Sequence, residues 1–254
     1  MNIAIVTGAS SGLGKEFINQ LLDYETNLDE IWVIARRMNR LEEIECPVPI
    51  RPFSIDLTNS NQINDFEQYL NNKKPNIKCL INAAGFGKIG DYSVISRNEI
   101  DKMIDLNCKG AVDMTLICLP FMNSGSHILE ICSTSGFQPF PYLNVYAATK
   151  SFLYRYSRAL RVELKPRNIS VTAVCPYWIK DTEFINIANE SNQSAIHSFI
   201  FASKTKKVVT KALFDSYHNF AVSTPGIICT LHRIICKIIP SSILMKGWNI
   251  IRKL

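Results

Sequence analysis

Short apolar runs recur along this chain, and each is followed by a stretch with helical spacing. IAIVT (residues 3–7) precedes a helix pattern over about residues 12–23, and IWVIA (31–35) precedes RLEEI. IRPF (50–53) precedes NQINDFEQYL. IKCLIN (77–82) leads through a glycine-containing loop to helix patterns near 97–106 and 108–122. HILEIC (127–132) precedes a helix over about 146–163, and ISVTAVC (169–175) precedes a polar, irregular stretch. Continuous apolar runs are what strands buried on both faces look like, and alternation with helices means parallel strands joined by crossovers. The expected fold is α/β: a doubly wound, mostly parallel sheet with helices on both faces, with ligands at the carboxyl ends of its strands. The 254-residue length suits one such domain, taken as residues 1–225, with a helical extension over 226–254.

Several function classes are not expected. The eight cysteines show no C-x-x-C pattern, and Cys79, Cys132 and Cys175 fall in or at the ends of apolar runs, so a reduced cytoplasmic protein is expected. The four histidines are scattered and support no metal site. The strand pattern starts at Asn2, which leaves no room for a secretion signal, and no apolar run is long enough to span a bilayer. The net charge of +6 is uneven: residues 204–254 carry +8 and residues 1–203 carry −2.

The unusual residues fall at strand ends. VTGASSGLGKE (6–16) joins the first strand to the first helix, and Gly8, Gly12 and Gly14 let the backbone turn tightly toward a pyrophosphate at a helix N-terminus. After the second strand, where an NAD-binding site commonly has an acid, stand Arg36 and Arg37. Guanidinium groups match a 2′-phosphate in charge and geometry, which points to NADP(H) over NAD(H). DLTN (56–59) ends the third strand and offers Asp56 to the adenine; NAAGFG (82–87) ends the fourth with small residues beside the sheet.

TGASSGLG, NAAG, the asparagine of DLNCKG, the serine of EICSTSG, and YAATK occur in one order over about residues 1–182. Together they resemble the short-chain dehydrogenase/reductase family, of Rossmann-type fold. The resemblance implies that Tyr146 is the general acid/base and Lys150 its charged neighbour and a hold on the nicotinamide ribose. Free tyrosine has a pKa of about 10, and the positive charge of Lys150 one turn away would favour the phenolate. Ser133, thirteen places before Tyr146, would hydrogen-bond the substrate oxygen; Thr134 and Ser135 compete with it for that role. Asn107 would hold helical backbone and an ordered water that relays protons to Lys150. Cofactor contacts are implied for Gly8, Ser10, Ser11, Gly12, Leu13 and Gly14, for Arg36, Arg37, Asp56 and Leu57, for Asn82, Ala83, Ala84 and Gly85, and for Tyr146, Lys150, Pro176 and Ile179. The chain departs from the family pattern in CPYWIKDTEF, where Tyr177 replaces the usual glycine and Asp181 the usual threonine, with Thr182 next.

The resemblance implies an NADP(H)-dependent oxidoreductase acting on a small carbonyl or alcohol, as a homo-oligomer. A sensor that has lost turnover, or an epimerase or dehydratase on the same scaffold, stands as the alternative. A lid is expected over about 177–204. In the tail, Ile227, Leu231, Ile234, Ile235 and Ile238 share one helical face, and Thr230, His232, Arg233 and Lys237 the other; Ser241 or Ser242 would cap a second helix. Three readings compete for that apolar face: it packs on the domain or another subunit, it forms a rim for a lipid-like substrate, or it attaches weakly to an anionic membrane. No nucleic-acid motif accompanies the basic residues.

Overall fold

The computed structural model describes residues 1–191, 195–196 and 202–253. Among these, seven strands form one sheet in the order β3-β2-β1-β4-β5-β6-β7. They are β1 (Asn2–Thr7), β2 (Glu30–Ala35), β3 (Ile50–Ser54), β4 (Asn76–Asn82), β5 (His127–Ile131), β6 (Ser170–Val174) and β7 (Val222–Ser223). Every pairing is parallel, so the expected doubly wound sheet is present. The chain winds outward from β1 to β3, then returns to place β4 on the other side of β1. The connections leaving β1 and β4 therefore diverge and open a crevice at their carboxyl ends.

The apolar runs are continuous because successive residues serve opposite cores. Ile3 and Ile5 face a core shared with α3 (Ser60–Lys73), α5 (Ala111–Cys118) and α6 (Asn144–Leu164). Ala4 and Val6 face a second core with α1 (Gly12–Leu21) and α8 (Thr205–Tyr217). A five-residue helix, α2 (Met38–Glu42), follows β2. Trp32 is fully buried in the first core, where it meets Phe53, Phe66 and Tyr69 edge-on or tilted, with its indole N–H donated to Glu30 at 2.7 Å.

Helix boundaries differ from the sequence pattern in places that matter. The two helices expected between β4 and β5 form one nearly continuous run. It consists of α4 (Arg97–Ile104), a π-helical turn at Asp105–Gly110, α5, and a short 3-10 turn at Leu119–Phe121. A capping box of Ser96 and Glu99 starts it. The π turn is centred on Asn107, and single π turns of this kind often mark functional positions. Helix α6 starts at Asn144, two residues before Tyr146. Within the expected lid lies α7 (Phe184–Asn189), with Ala195 and Ile196 buried further on. The rest of that lid, 192–194 and 197–201 with His197, lies outside the described residues.

The tail forms α9 (Ile227–Ile238) and α10 (Ser241–Ile251). Neither Ser241 nor Ser242 caps α10: Pro240 takes the cap position and no side chain satisfies the free N–H groups. The isoleucine face of α9 does not pack on its own domain. Cys229, His232 and Cys236 are the docked side, with His232 against Phe137 and Phe140, and Cys236 donating to Gln138. The row of Ile227, Leu231, Ile234 and Ile238 is exposed.

Trp32→Ala should destabilise the fold by about 3–5 kcal/mol, because it empties the largest buried site of the first core and removes one of the bonds to Glu30, which Arg51 still holds. Urea unfolding followed by circular dichroism measures this; a loss under about 1 kcal/mol would contradict the packing described.

Candidate active site

The crevice between β1 and β4 is closely built. Gly8 has φ +66° and Gly12 φ +52°, conformations that favour glycine. A Cβ on Gly8 would stand 2.8 Å from the Ala84 backbone, and one on Gly14 would stand 2.3 Å from the Gly8 carbonyl. Thr7 ties the two strand ends together by accepting from the Ala84 N–H at 3.2 Å. The result is a backbone cradle at the N-terminus of α1, the feature that fits a pyrophosphate.

One cavity of about 550 Å³ runs from this cradle along the carboxyl edge of the sheet. Gly8, Ser10, Ser11, Gly12, Leu13 and Gly14 line its first part, with Arg36, Arg37, Asp56 and Leu57. Ala83, Ala84 and Gly85 line the middle, and Ser133, Tyr146, Lys150, Pro176 and Ile179 the far part. Asn82 is the exception among the expected cofactor contacts. It is buried behind the cavity wall, where its amide donates to Thr115 and Glu130, both at 2.9 Å, and to the Ala111 carbonyl at 3.3 Å. The side chain points into the core because that is where acceptors await it.

At the first end, all three nitrogens of Arg37 bond within the protein. Its Nε and Nη2 reach the Ser10 hydroxyl at 3.3 and 3.1 Å, and Nη2 reaches Ser11 at 3.1 Å. Nη1 and Nη2 reach the Glu183 carboxylate at 3.3 and 2.9 Å, and Arg40 adds a 2.5 Å contact to the same group. The two guanidinium groups hold the Glu183 carboxyl at about 2, far below its usual range. Arg36 is exposed at the rim. Partial burial raises the Asp56 carboxyl, but the bonds it accepts from the Thr58 N–H and hydroxyl at 3.0 and 2.8 Å, with the charges of Arg36 and Lys102, together hold it below its usual range.

At the far end, Tyr146 and Lys150 lie on the buried face of α6, with Ala147, Leu153 and Leu160 below them. Lys150 Nζ donates to the Ile131 carbonyl at 2.6 Å and stands 5.9 Å from the centre of the Tyr146 ring. Burial pushes the Tyr146 phenol above its ordinary range, opposed by the Ser133 and Ser135 hydroxyls beside it. Burial likewise lowers Lys150. Desolvation, and not the expected pull of Lys150, sets the direction of the Tyr146 shift. Ser133 accepts from the Ser135 N–H at 3.1 Å, which orients its hydroxyl at the end of β5. Asn107 is buried; its amide donates to the Phe86 carbonyl at 2.8 Å and to Thr149 at 3.1 Å, while its oxygen accepts from the Phe86 N–H at 3.1 Å. It holds the loop after β4 against α6. A Cβ on Gly85 would meet both Asn107 Oδ1 at 2.9 Å and Lys150 Nζ at 3.4 Å, so those two groups converge there. Cys132 sits in the core with Leu153, Ala173 and Cys175, as its strand position requires.

Several cavity residues fall outside the cofactor and catalytic motifs. Phe140, Leu143, Trp178, Phe184, Ile187 and Trp248 form an apolar wall beyond Tyr146. Trp248 comes from α10, packs on Phe140 at 4.9 Å and donates to the Pro141 carbonyl at 3.0 Å. Asp181 serves the lid: its carboxylate accepts from Thr205 N–H and hydroxyl at 2.9 and 3.0 Å, joining the two stems of the segment. Thr182 lies against the glycine turn, 3.3 Å from where a Gly12 Cβ would be. Among the described residues no cluster suits a metal ion.

A seven-stranded parallel sheet with a glycine cradle and a buried tyrosine–lysine pair in one crevice defines a dinucleotide-type oxidoreductase site. Comparison with known proteins agrees: the sequence profile of the short chain dehydrogenase family matches residues 2–193. The chain is 33% identical over 181 residues to an uncharacterized oxidoreductase of Staphylococcus epidermidis, covering 68% of this chain and 76% of that one. It is 32% identical over 190 residues to the NADP-dependent 3-hydroxy acid dehydrogenase of Shigella flexneri, covering 73% and 75%. A short-chain dehydrogenase from Sphingobium yanoikuyae, solved in complex with NADPH, has the same fold, with a TM-score of 0.77 at 23% identity over 94% of this chain and 96% of that one. The protein belongs to the short-chain dehydrogenase/reductase family of oxidoreductases.

Beneath the site, burial pushes the Glu130 carboxyl up to about 7, although Asn82 and Thr115 donate to one oxygen. The other oxygen and the nearby Tyr156 hydroxyl have no partner. A carboxyl that binds its proton more tightly when folded makes stability fall as pH rises from about 4.5 to about 7. Glu130→Gln should therefore gain about 2 kcal/mol on wild type between pH 5 and pH 8. Urea unfolding at the two pH values measures the gap; an equal gap at both would contradict the burial cost.

Proposed function

We propose that the protein is an NADP(H)-dependent oxidoreductase that interconverts a carbonyl and an alcohol, with Tyr146 as general acid/base. The observation that carries this reading is the shared cavity: the Arg37–Ser10–Ser11 cluster lies at one end and Tyr146, Lys150 and Ser133 at the other. The residues present fit the cofactor. The glycine cradle would hold the pyrophosphate, Arg37 with Ser10, Ser11 and Arg36 the 2′-phosphate, and Lys150 the nicotinamide ribose. When bound, the nicotinamide supplies or accepts the hydride.

Tyr146 then handles the proton. Burial keeps its phenol protonated at neutral pH, so it stands ready to donate to a carbonyl oxygen. Ser133 would donate to the same oxygen and stabilise its developing charge. Lys150, held on the Ile131 carbonyl, puts a positive charge where the phenolate forms. In the direction of alcohol oxidation the phenol must first ionise, so that rate should rise with pH while reduction falls only at alkaline pH. Asn107 sets the loop and helix that carry this group. The complete set favours turnover over a sensor role. The wall of Phe140, Leu143, Trp178, Phe184 and Trp248 favours an apolar substrate body.

Tyr146→Phe should lower kcat by at least about a hundredfold with little change in cofactor affinity. NADPH oxidation at 340 nm against a carbonyl panel tests it, and wild-type-like turnover would sink the assignment.

Glu183 bears on cofactor choice. It occupies the arginines that a 2′-phosphate would use, and its own negative charge disfavours one. Glu183→Gln should tighten NADPH about two- to fivefold without tightening NADH, the modest size reflecting half-exposed ion pairs. Fluorescence titration with both cofactors reads this; equal changes for the two would refute a 2′-phosphate subsite at Arg37.

A further inference from the structure

We infer that α9 and α10 seat the protein on an anionic membrane surface, with the cavity opening beside that seat through Trp248. Helix α9 docks on the segment around Phe137 and Phe140 through His232 and Cys236, with Cys229 buried on the same side of the helix. At 100° per residue, Ile227, Leu231, Ile234 and Ile238 lie on the opposite side of the helix. Ile227 is 78% exposed and Ile238 75%, and Ile228 and Ile235 widen the row. Helix α10 repeats the arrangement: Trp248 turns inward onto Phe140, whereas Ile243, Ile250 and Ile251 face solvent. A run of exposed isoleucines on two successive helices exceeds the scattered apolar residues of an ordinary surface.

Charge identifies the occupant. Residues 216–254 contain no acid, Lys237 and Lys246 are exposed on these helices, and Lys253 is exposed just past α10. Lys237 and Lys246 fall at the edge of the two apolar rows, where they can reach phosphate headgroups while the isoleucines enter the acyl boundary. A two-fold contact of the patch with a second copy would bring like cations together with no carboxylate in the patch to pair them. An anionic bilayer satisfies both features at once. No helix among the described residues is long and apolar enough to cross a membrane, so the contact is one of surface attachment.

The inner side of the same tail helps to build the reaction cavity. Trp248 lines it together with Phe140 and Phe184. A lipophilic carbonyl or alcohol dissolved in the bilayer would enter past this indole. This last step rests on the oxidoreductase reading; attachment itself does not.

The test uses the full chain and vesicles of phosphatidylcholine with one-third phosphatidylglycerol. Wild type should co-sediment, and binding should fall about tenfold or more in high salt, with pure phosphatidylcholine, and in Lys237→Glu/Lys246→Glu. The exposed-face variant Ile227→Ser/Leu231→Ser/Ile234→Ser/Ile238→Ser should lose binding by a similar factor while keeping its circular dichroism spectrum. Wild type that stays in the supernatant, or variants that bind as wild type does, would overturn the proposal. So would a dimer seen by sedimentation velocity without lipid that the four-serine variant dissolves. With vesicle-embedded hexadecanal as probe, the four-serine variant should lose about tenfold in rate while a water-soluble aldehyde is reduced as before. If neither aldehyde is turned over by wild type but vesicles are bound, the oxidoreductase reading fails and the attachment stands.

Discussion

The close approach of β1 and β4 governs the rest of the structure. A seven-stranded parallel sheet whose winding reverses at β1 must open a crevice there, and the crevice is useful only if backbone comes to its edge. Gly8 against Ala84, and Gly14 against the Gly8 carbonyl, leave no space for side chains. The first helix can therefore aim its free N–H groups into the cavity. The Thr7 bond to Ala84 keeps the two strand ends in register, and β4 in turn fixes the loop that Asn107 clasps. Residues more than a hundred positions apart in the chain, such as Ser10 and Tyr146, reach one cavity because of this edge.

Desolvation shapes the chemical end. Tyr146 and Lys150 are both buried, and each is pushed toward its neutral form. The lysine is steadied by the Ile131 carbonyl rather than by an acid, so it remains free to favour a phenolate once one forms. Directly behind the wall, Asn82, Thr115 and Glu130 make a buried polar knot with two orphan oxygens. Such a knot costs stability where it sits. Its position behind the cavity wall, on the strands that carry Ala83 and Ser133, ties their ends together.

The sheet was legible because strands buried on both faces must be apolar throughout, as Ile3–Ala4–Ile5–Val6 illustrates by feeding two cores in turn. The glycine cradle and the Tyr146–Lys150 pair were legible because their spacing is local. The side chain of Asn82 turns away from the cavity, which the sequence did not disclose because an asparagine at a strand end can turn either way and its deciding partner, Glu130, is 48 residues distant. Glu183 was invisible for the same reason: its bond to Arg37 spans 146 residues. The tail gave its periodicity but not its orientation. A stripe of isoleucines says that one face is apolar; only the docking of Cys229, His232 and Cys236 reveals that the stripe faces outward. Trp248 reaches the cavity from the last helix, a placement no local pattern encodes.

The central claim is that the arginine end and the tyrosine end of this cavity serve one reaction, a hydride transfer paired with a proton transfer. Its most direct test is isotopic. Wild-type protein is given NADPH deuterated at the transferring position of the nicotinamide, together with a panel of apolar ketones, and the alcohols formed are analysed by mass spectrometry. The account predicts one deuterium on the carbinol carbon for each NADPH consumed. NADPH consumption without deuterium in the alcohol, or no alcohol from any member of the panel, would contradict it.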